Sequence, residues 1–237
     1  MDKIRAKFTK CENSKYISHL DLMRLFQRAF RRAGLHLKHT EGFNPQPKLA
    51  FATALSLGTS SDGEYMDVEV EENIEIKDFI ETINKVLPEG VKVLNAEYRT
   101  EKDSIASLIR WGSYVVEVTL DDMDISSDEV NKKLSEFLSL DEIIVTKEVR
   151  DKKRRGHRKI VEDDIKDKIN KLDILSFEEN KISFKMTLKT GSNGNIKPEL
   201  LLEAFEKYTE IKIGAHSTKI HRLDLFIEQD GEMITPL

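Results

Sequence analysis

The chain is 237 residues long, 39% hydrophobic and 34% charged, with a formal net charge of −5, enough for one large core or two smaller ones. Its one cysteine, Cys11, excludes a disulfide framework and any multi-cysteine zinc or iron–sulfur site built by these residues alone. No apolar run approaches a membrane span and the N-terminus lacks a signal-peptide apolar stretch, so a cytoplasmic protein with no membrane partner is expected.

In chain order, Lys3–Thr9 alternates as a strand, and a helix follows over Ser18–Ala33. Ser18 suits the N-cap, with Asp21 three residues on near the positive end of the helix dipole. At about 100° per residue, Leu22, Met23, Leu25, Phe26, Ala29, Phe30 and Ala33 share a broad apolar arc, and Arg24, Arg28, Arg31 and Arg32 the opposite one. Gly34 ends the helix. A short strand at Leu35–His39, an apolar hairpin arm at Leu49–Leu57 and a turn at Thr59–Gly63 come next. A strand at Tyr65–Val70, a helix at Ile76–Leu87 broken by Pro88-Glu-Gly90, and a strand at Val91–Tyr98 complete a βαββαβ order over residues 1–100. Residues 101–111 read as a connector with a helical turn at Ser104–Arg110.

The same order returns over 112–237. Tyr114–Leu120 is a strand, Ser127–Leu138 a helix, and Ile143–Val149 a strand entering a basic insertion loop. Strands at Leu172–Ser176 and Ile182–Leu188, a helix at Lys197–Tyr208 and a closing strand at Ser217–Ile227 follow. The expected fold is α+β, with two ferredoxin-like domains in tandem.

Arginine usage separates the first helix from an ordinary solvated face. The chain has 26 Lys but 12 Arg, and four of the 12 lie on the stripe. Arginine's planar fork fits phosphate bidentately, whereas lysine serves solubility equally well. A second basic segment, Lys147–Lys159, carries net +6 in 13 residues and includes Arg150, Lys152, Lys153, Arg154, Arg155, Arg158 and Lys159. The other 224 residues therefore carry −11, a polarised distribution in which local density matters more than net charge. Both segments point to RNA or another polyphosphate.

Smaller groups add to this. Gly42-Phe-Asn-Pro-Gln-Pro-Lys48 holds two φ-locked prolines, an aromatic and a lysine. It is either a rigid connection or an edge where Phe43 stacks on a base and Lys48 meets phosphate. Gly191-Ser-Asn-Gly-Asn195 opens the helix at Lys197-Pro198 and is either a plain capped turn or a place where free backbone N–H groups and Lys197 hold an anion. It lacks the Gly-Lys-Ser/Thr of a Walker loop, and no Gly-x-Ser-x-Gly elbow occurs. His36 and His39 in a strand would face opposite ways, as would His216 and His221, so no metal site and no cofactor are expected. His19 shares the angle of Met23, Phe26 and Phe30, which makes it a partly buried histidine. Asp121-Asp122 and Asp163-Asp164 read as surface charge.

The block Tyr16-Ile-Ser-His-Leu-Asp-Leu-Met-Arg24, then Arg31-Arg32-Ala-Gly34, Glu41-Gly-Phe-Asn-Pro45, Pro47-Lys48 and Leu57-Gly58, resembles the radical-SAM-associated domain family of unknown function. That family is stand-alone or fused behind a radical SAM module. The resemblance is strongest over residues 1–70 and departs at Gln46, where histidine is frequent. It implies a radical SAM enzyme as partner, acting on RNA or the translation apparatus, with the iron–sulfur cluster held by that partner. A looser, fold-level similarity is to the CRISPR repeat-processing endoribonucleases. It would make His19 a general acid or base and Lys48 the phosphorane stabiliser.

The expectation is therefore a non-catalytic RNA-binding accessory protein. A metal-independent endoribonuclease is the enzyme alternative, and a scaffold for an acidic protein partner the third.

Overall fold

Hydrophobic periodicity switches between two and 3.6 along the chain, and the elements switch with it. The computed structural model describes residues 3–150, 158–192 and 194–237. They form β1 (Lys3–Lys10), α1 (His19–Arg32), β2 (Leu49–Phe51), β3 (Ser60–Val68), α2 (Ile76–Asn84), β4 (Val93–Arg99), α3 (Ile105–Leu108) and β5 (Ile109–Thr119). There follow α4 (Ser127–Ser139), β6 (Ile144–Arg150), β7 (Arg158–Asp164), β8 (Ile169–Glu178), β9 (Lys181–Lys189), α5 (Pro198–Thr209), β10 (Lys219–Gln229) and β11 (Glu232–Ile234). The expected α+β class is what the chain adopts.

The chain divides into two units. One comprises Met1–Ser113, Thr190–Asn193 and Ile220–Leu237, the other Tyr114–Lys189 and Gly194–Lys219. In the first unit β1 pairs antiparallel with both β4 and β3, and β2 pairs antiparallel with β3. The order β4-β1-β3-β2 is the one a βαββαβ chain makes when its two helices cover one face. On that face Ile4, Ala6 and Phe8 of β1 meet Leu22, Phe26, Ala29 and Phe30 of α1 and Phe79 and Ile83 of α2. Phe8 stands edge-on to Phe26 with centroids 4.9 Å apart. Each such ring contributes about 1.5–3 kcal/mol by leaving water. The second unit orders its strands β5-β9-β8 and pairs β6 with β7 as a separate hairpin. Its core joins Phe137 of α4, Phe205 of α5 and Phe184 of β9 through edge-on contacts of 5.6–5.7 Å.

The other side of β1 carries charge. Arg5, 1% exposed, forks onto Asp67 with Nε 2.8 Å from Oδ1, and its Nη1 reaches Glu101 at 2.8 Å. Lys7 pairs with Asp224 at 2.6 Å, and the Asp224 carboxylate also accepts the Tyr65 hydroxyl at 2.7 Å. Burial, then this carboxylate, push the Tyr65 phenol well above its usual range. Toward the strand end Lys10, Glu64 and Arg222 are all buried, with Arg222 Nη1 2.8 Å from Glu64. Burial holds the Lys10 ammonium below its usual range, against the pull of Glu64.

Several expected elements differ. Thr59–Gly63 is no turn from Ser60 onward, because β10 lies parallel to β3 there, with His221 opposite Ser60 and Arg222 opposite Ser61. A partner about 160 residues away in sequence leaves no local signal. Leu49–Leu57 forms only the three-residue β2, and Leu35–His39 makes isolated bridges, Leu37 to Val70 and His39 to Pro47, in place of a strand. The insertion after β6 returns as β7, so Arg158 and Lys159 stand on a strand and not in a loop.

Gly63 lets β3 and β10 approach closely. A Cβ built on it would lie 2.5 Å from Asp224 Cα and 2.6 Å from the Leu223 carbonyl oxygen. Gly63→Ala must push two paired strands apart, and chemical denaturation is expected to register a loss of about 1–3 kcal/mol.

Candidate nucleic-acid interface

The arginine helix begins as its sequence requires. Ser18 Oγ accepts the Asp21 N–H at 3.2 Å and donates to the Asp21 carboxylate at 2.7 Å. That hydroxyl first, and the Arg24 guanidinium 3.0 Å away second, hold the Asp21 carboxyl below its usual range. The buried arc (Leu22, Phe26, Ala29, Phe30) anchors the helix and leaves Arg24, Arg28, Arg31 and Arg32 exposed. Gly34, at φ 71°, turns the chain back, and the Leu35 N–H closes onto the Phe30 carbonyl at 3.0 Å.

Residues 35–39 then run beside two other segments. Lys38 N–H bonds the Glu69 carbonyl, Glu71 N–H the His36 carbonyl, and Lys48 N–H the Lys38 carbonyl, at 2.7–2.9 Å. The result is a groove of about 530 Å³ between this segment and α1. Its floor is Phe30, Leu35, Leu37 and Pro47, and its polar rim includes Arg24, Arg28, Arg31, His36 and His39. A second groove of about 500 Å³ on the other flank of α1 is lined by Arg32, Val86 and Pro88, and Arg24 and Arg28 border both. The stripe is thus a ridge between two hollows.

The four arginines are not equivalent. Arg24 holds Asp21 in a solvent-exposed ion pair, which water and salt screen and a ligand readily exchanges. Arg32 donates to the Val86 carbonyl at 2.7 Å. The side chains of Arg28 and Arg31 form no hydrogen bond or ion pair among the described residues, and neither do those of His36 and His39. Sequence reasoning set those histidines on opposite faces. They share the groove because the segment is bridged irregularly and lacks a strand's period of two. Gln27 and Glu71 also line it and carried no sequence signal.

The remaining candidates fall as follows. Phe43 is fully exposed at the tip of the 40–46 loop, which is closed by Thr40 N–H to the Gln46 carbonyl at 2.9 Å. Lys48 is ion-paired to Glu69 at 3.0 Å, and His19 is half-buried, edge-on to Phe51 with ring centroids 5.6 Å apart. Lys197 is exposed at the N-cap of α5. Arg158 pairs with Glu148 at 3.0 Å and Lys159 is exposed, both on β7 of the second unit. Lys152, Lys153, Arg154, Arg155 and Asn193 lie outside the described residues, as does the Arg150 side chain. Asp163 is occupied by Lys147 and Lys168, each at 2.7 Å, and those bonds lower its carboxyl below the usual range. Among the described residues no group of three or more His, Cys, Asp or Glu is placed to hold a metal ion, and no helix is long and apolar enough to cross a membrane.

One linkage was not foreseen. His221 of β10 stands with Nδ1 2.9 Å from Ser60 Oγ and Nε2 3.0 Å from Asp62 Oδ2. It bridges two strands whose pairing the sequence did not disclose.

Fold and groove define an α+β protein with a basic, apolar-floored cleft beside its first helix. The chain belongs to the family described as an uncharacterized protein conserved in bacteria (DUF2344), whose model matches residues 3–198. No curated protein matches it. Among solved structures, it is similar in fold to a chain of a Cbf5-Nop10-Gar1 complex, with TM-score 0.51 and 10% identity over 94% of this chain and 48% of that one. A chain of the archaeal box H/ACA sRNP Nop10-Cbf5 complex matches with TM-score 0.49 and 11% identity over 92% and 46%. This chain spans about half the length of those chains, and likeness at such identity is one of fold alone.

Proposed function

We propose that this protein binds RNA through the arginine ridge of α1. The observation that carries the proposal is a pair of exposed guanidinium groups, Arg28 and Arg31, left without a hydrogen bond or ion pair among the described residues at the rim of an apolar-floored groove. Elsewhere in the described first unit, Arg5, Arg24, Arg32 and Arg222 each hold a carboxylate or a carbonyl. Cations with no ion-pair partner among the described residues suit a polyanionic ligand. Phe43 at its loop tip adds a stacking surface, and Lys48, Lys197 and the 152–159 segment add charge. The proposal rests on the groove, not on the likeness to Cbf5-complex chains. In the cell it extends to an accessory role beside a radical SAM enzyme, which the resemblance of the Tyr16–Lys48 block implies. These 237 residues hold only Cys11, so they do not themselves supply a three-cysteine cluster.

The test is a salt titration of binding to a fluorescent single-stranded RNA. Three phosphate contacts by Arg24, Arg28 and Arg31 predict a log–log slope of about −2, and a steeper one brings in the 152–159 segment. A slope near zero, or no binding at low salt, overturns the proposal and turns attention to an acidic protein partner.

A further inference from the structure

We infer that the groove beside α1 takes a single unpaired nucleotide of the RNA, its base on the apolar floor and its phosphate against Arg28 and Arg31; this rests on the RNA-binding reading above. Size is the first argument. At about 530 Å³ the groove lies within the roughly 300–1,000 Å³ typical of small-ligand sites. That is room for one unit of a nucleic-acid chain.

The lining sorts by chemistry. Leu35 and Pro47, both half-buried, and Leu37, 7% exposed, give an apolar floor with no polar side chain to match, laid over the buried Phe30 ring. A paired base offers only its edges to such a floor, whereas an unstacked base lays down its whole face. His36 and His39 are exposed on the rim and offer two flat imidazoles beside that face. Charge sets the direction. Glu71 joins the lining next to His36, whose carbonyl its own N–H holds at 2.9 Å. That carboxylate repels phosphate and accepts from a base amino group or a ribose hydroxyl. The phosphate therefore goes to the α1 side, where Arg28 and Arg31 have no competing anion within ion-pair distance among the described residues. Gln27 lies on the same helix between the floor and the arginines.

The experiment compares a single-stranded RNA with its duplex, uses uridine and adenosine monophosphate and inorganic phosphate as competitors, and includes the Gln27→Trp variant. That substitution fills the groove from a half-buried helix position and leaves every charge in place. The single strand is expected to bind at least about 10-fold more tightly than the duplex. The nucleotides should displace it where inorganic phosphate at equal concentration does not. Gln27→Trp should lower single-strand affinity to the duplex level without changing the salt slope. Equal binding of strand and duplex with a neutral Gln27→Trp overturns the nucleotide inference, while RNA binding through the arginines stands if Arg28→Glu/Arg31→Glu still abolishes it. If that charge reversal also has no effect, the RNA reading itself fails. If the monophosphates bind but no RNA does, both fall and the groove is a free-nucleotide site.

Discussion

Arg28→Glu combined with Arg31→Glu is expected to weaken RNA binding about 100-fold or more at moderate salt, with the protein still folded. A charge-assisted hydrogen bond contributes about 1.5–3 kcal/mol, so losing two removes at least about 3 kcal/mol, or roughly 100-fold. Repulsion from the new carboxylates adds to that. Both side chains are exposed and bonded to nothing among the described residues, so the fold loses little by their removal. The one foreseeable cost is the carboxylate introduced by Arg31→Glu, which faces the negative end of the helix dipole and costs about 0.3–1 kcal/mol. Fluorescence anisotropy reads the affinity, and a thermal melt within a few degrees of wild type confirms the fold. Lys77→Glu with Lys85→Glu makes the same change in net charge outside the groove, and affinity there should move less than about 3-fold. Equal losses in the two variants would mean that overall charge governs binding, not the ridge.

The largest stability effect is expected at Asp67. Its carboxylate accepts Arg5 Nε at 2.8 Å, Arg5 Nη2 at 3.1 Å and the Ile105 N–H at 3.1 Å, and pairs with Lys3 at 2.9 Å. Asp67→Ala leaves Arg5, 1% exposed, with Glu101 as its one counterion among the described residues. Breaking a buried pair on one side costs about 3–5 kcal/mol, which for a chain of this size lowers the melting temperature by about 10 °C. Arg5→Met with Asp67→Leu removes both charges and is expected to recover much of the loss. Without that recovery, the hydrogen bond to α3, not the ion pair, is what holds this face. Urea denaturation of the three proteins decides between them.

The contrast between Arg5 and Arg28 shows what a sequence discloses. The apolar arc of α1 and the alternation of β1 are local, and both were legible. So was the arginine stripe, because four arginines at helical spacing stand out against a lysine-rich background. The groove was not, since it depends on how residues 35–39 lie against Glu69, Glu71 and Pro47. Two histidines three apart look useless on a regular strand and converge on an irregular one. Arg5, Lys10 and Arg222 carry no sequence signal of burial, yet they are buried, each beside a carboxylate far away in sequence. Ser60 and Ser61 read as a turn because their strand partner comes from the far end of the chain.

That last pairing bears on the order in which the protein is made. β3 is translated early, yet the edge beyond Ser60 stays open until His221 and Arg222 arrive, 161 and 158 residues later by their contacts with Ser60 and Glu64. At about 5–20 residues per second, the nascent chain spends roughly 10–30 s with Glu64 and Tyr65 lacking Arg222 and Asp224. During that interval β3 presents an unpaired edge of the kind that recruits other strands. A ribosome-stalled chain ending before Lys219 should therefore be more protease-sensitive within residues 60–65 than the released protein, and synthesis of β10 should abolish the difference.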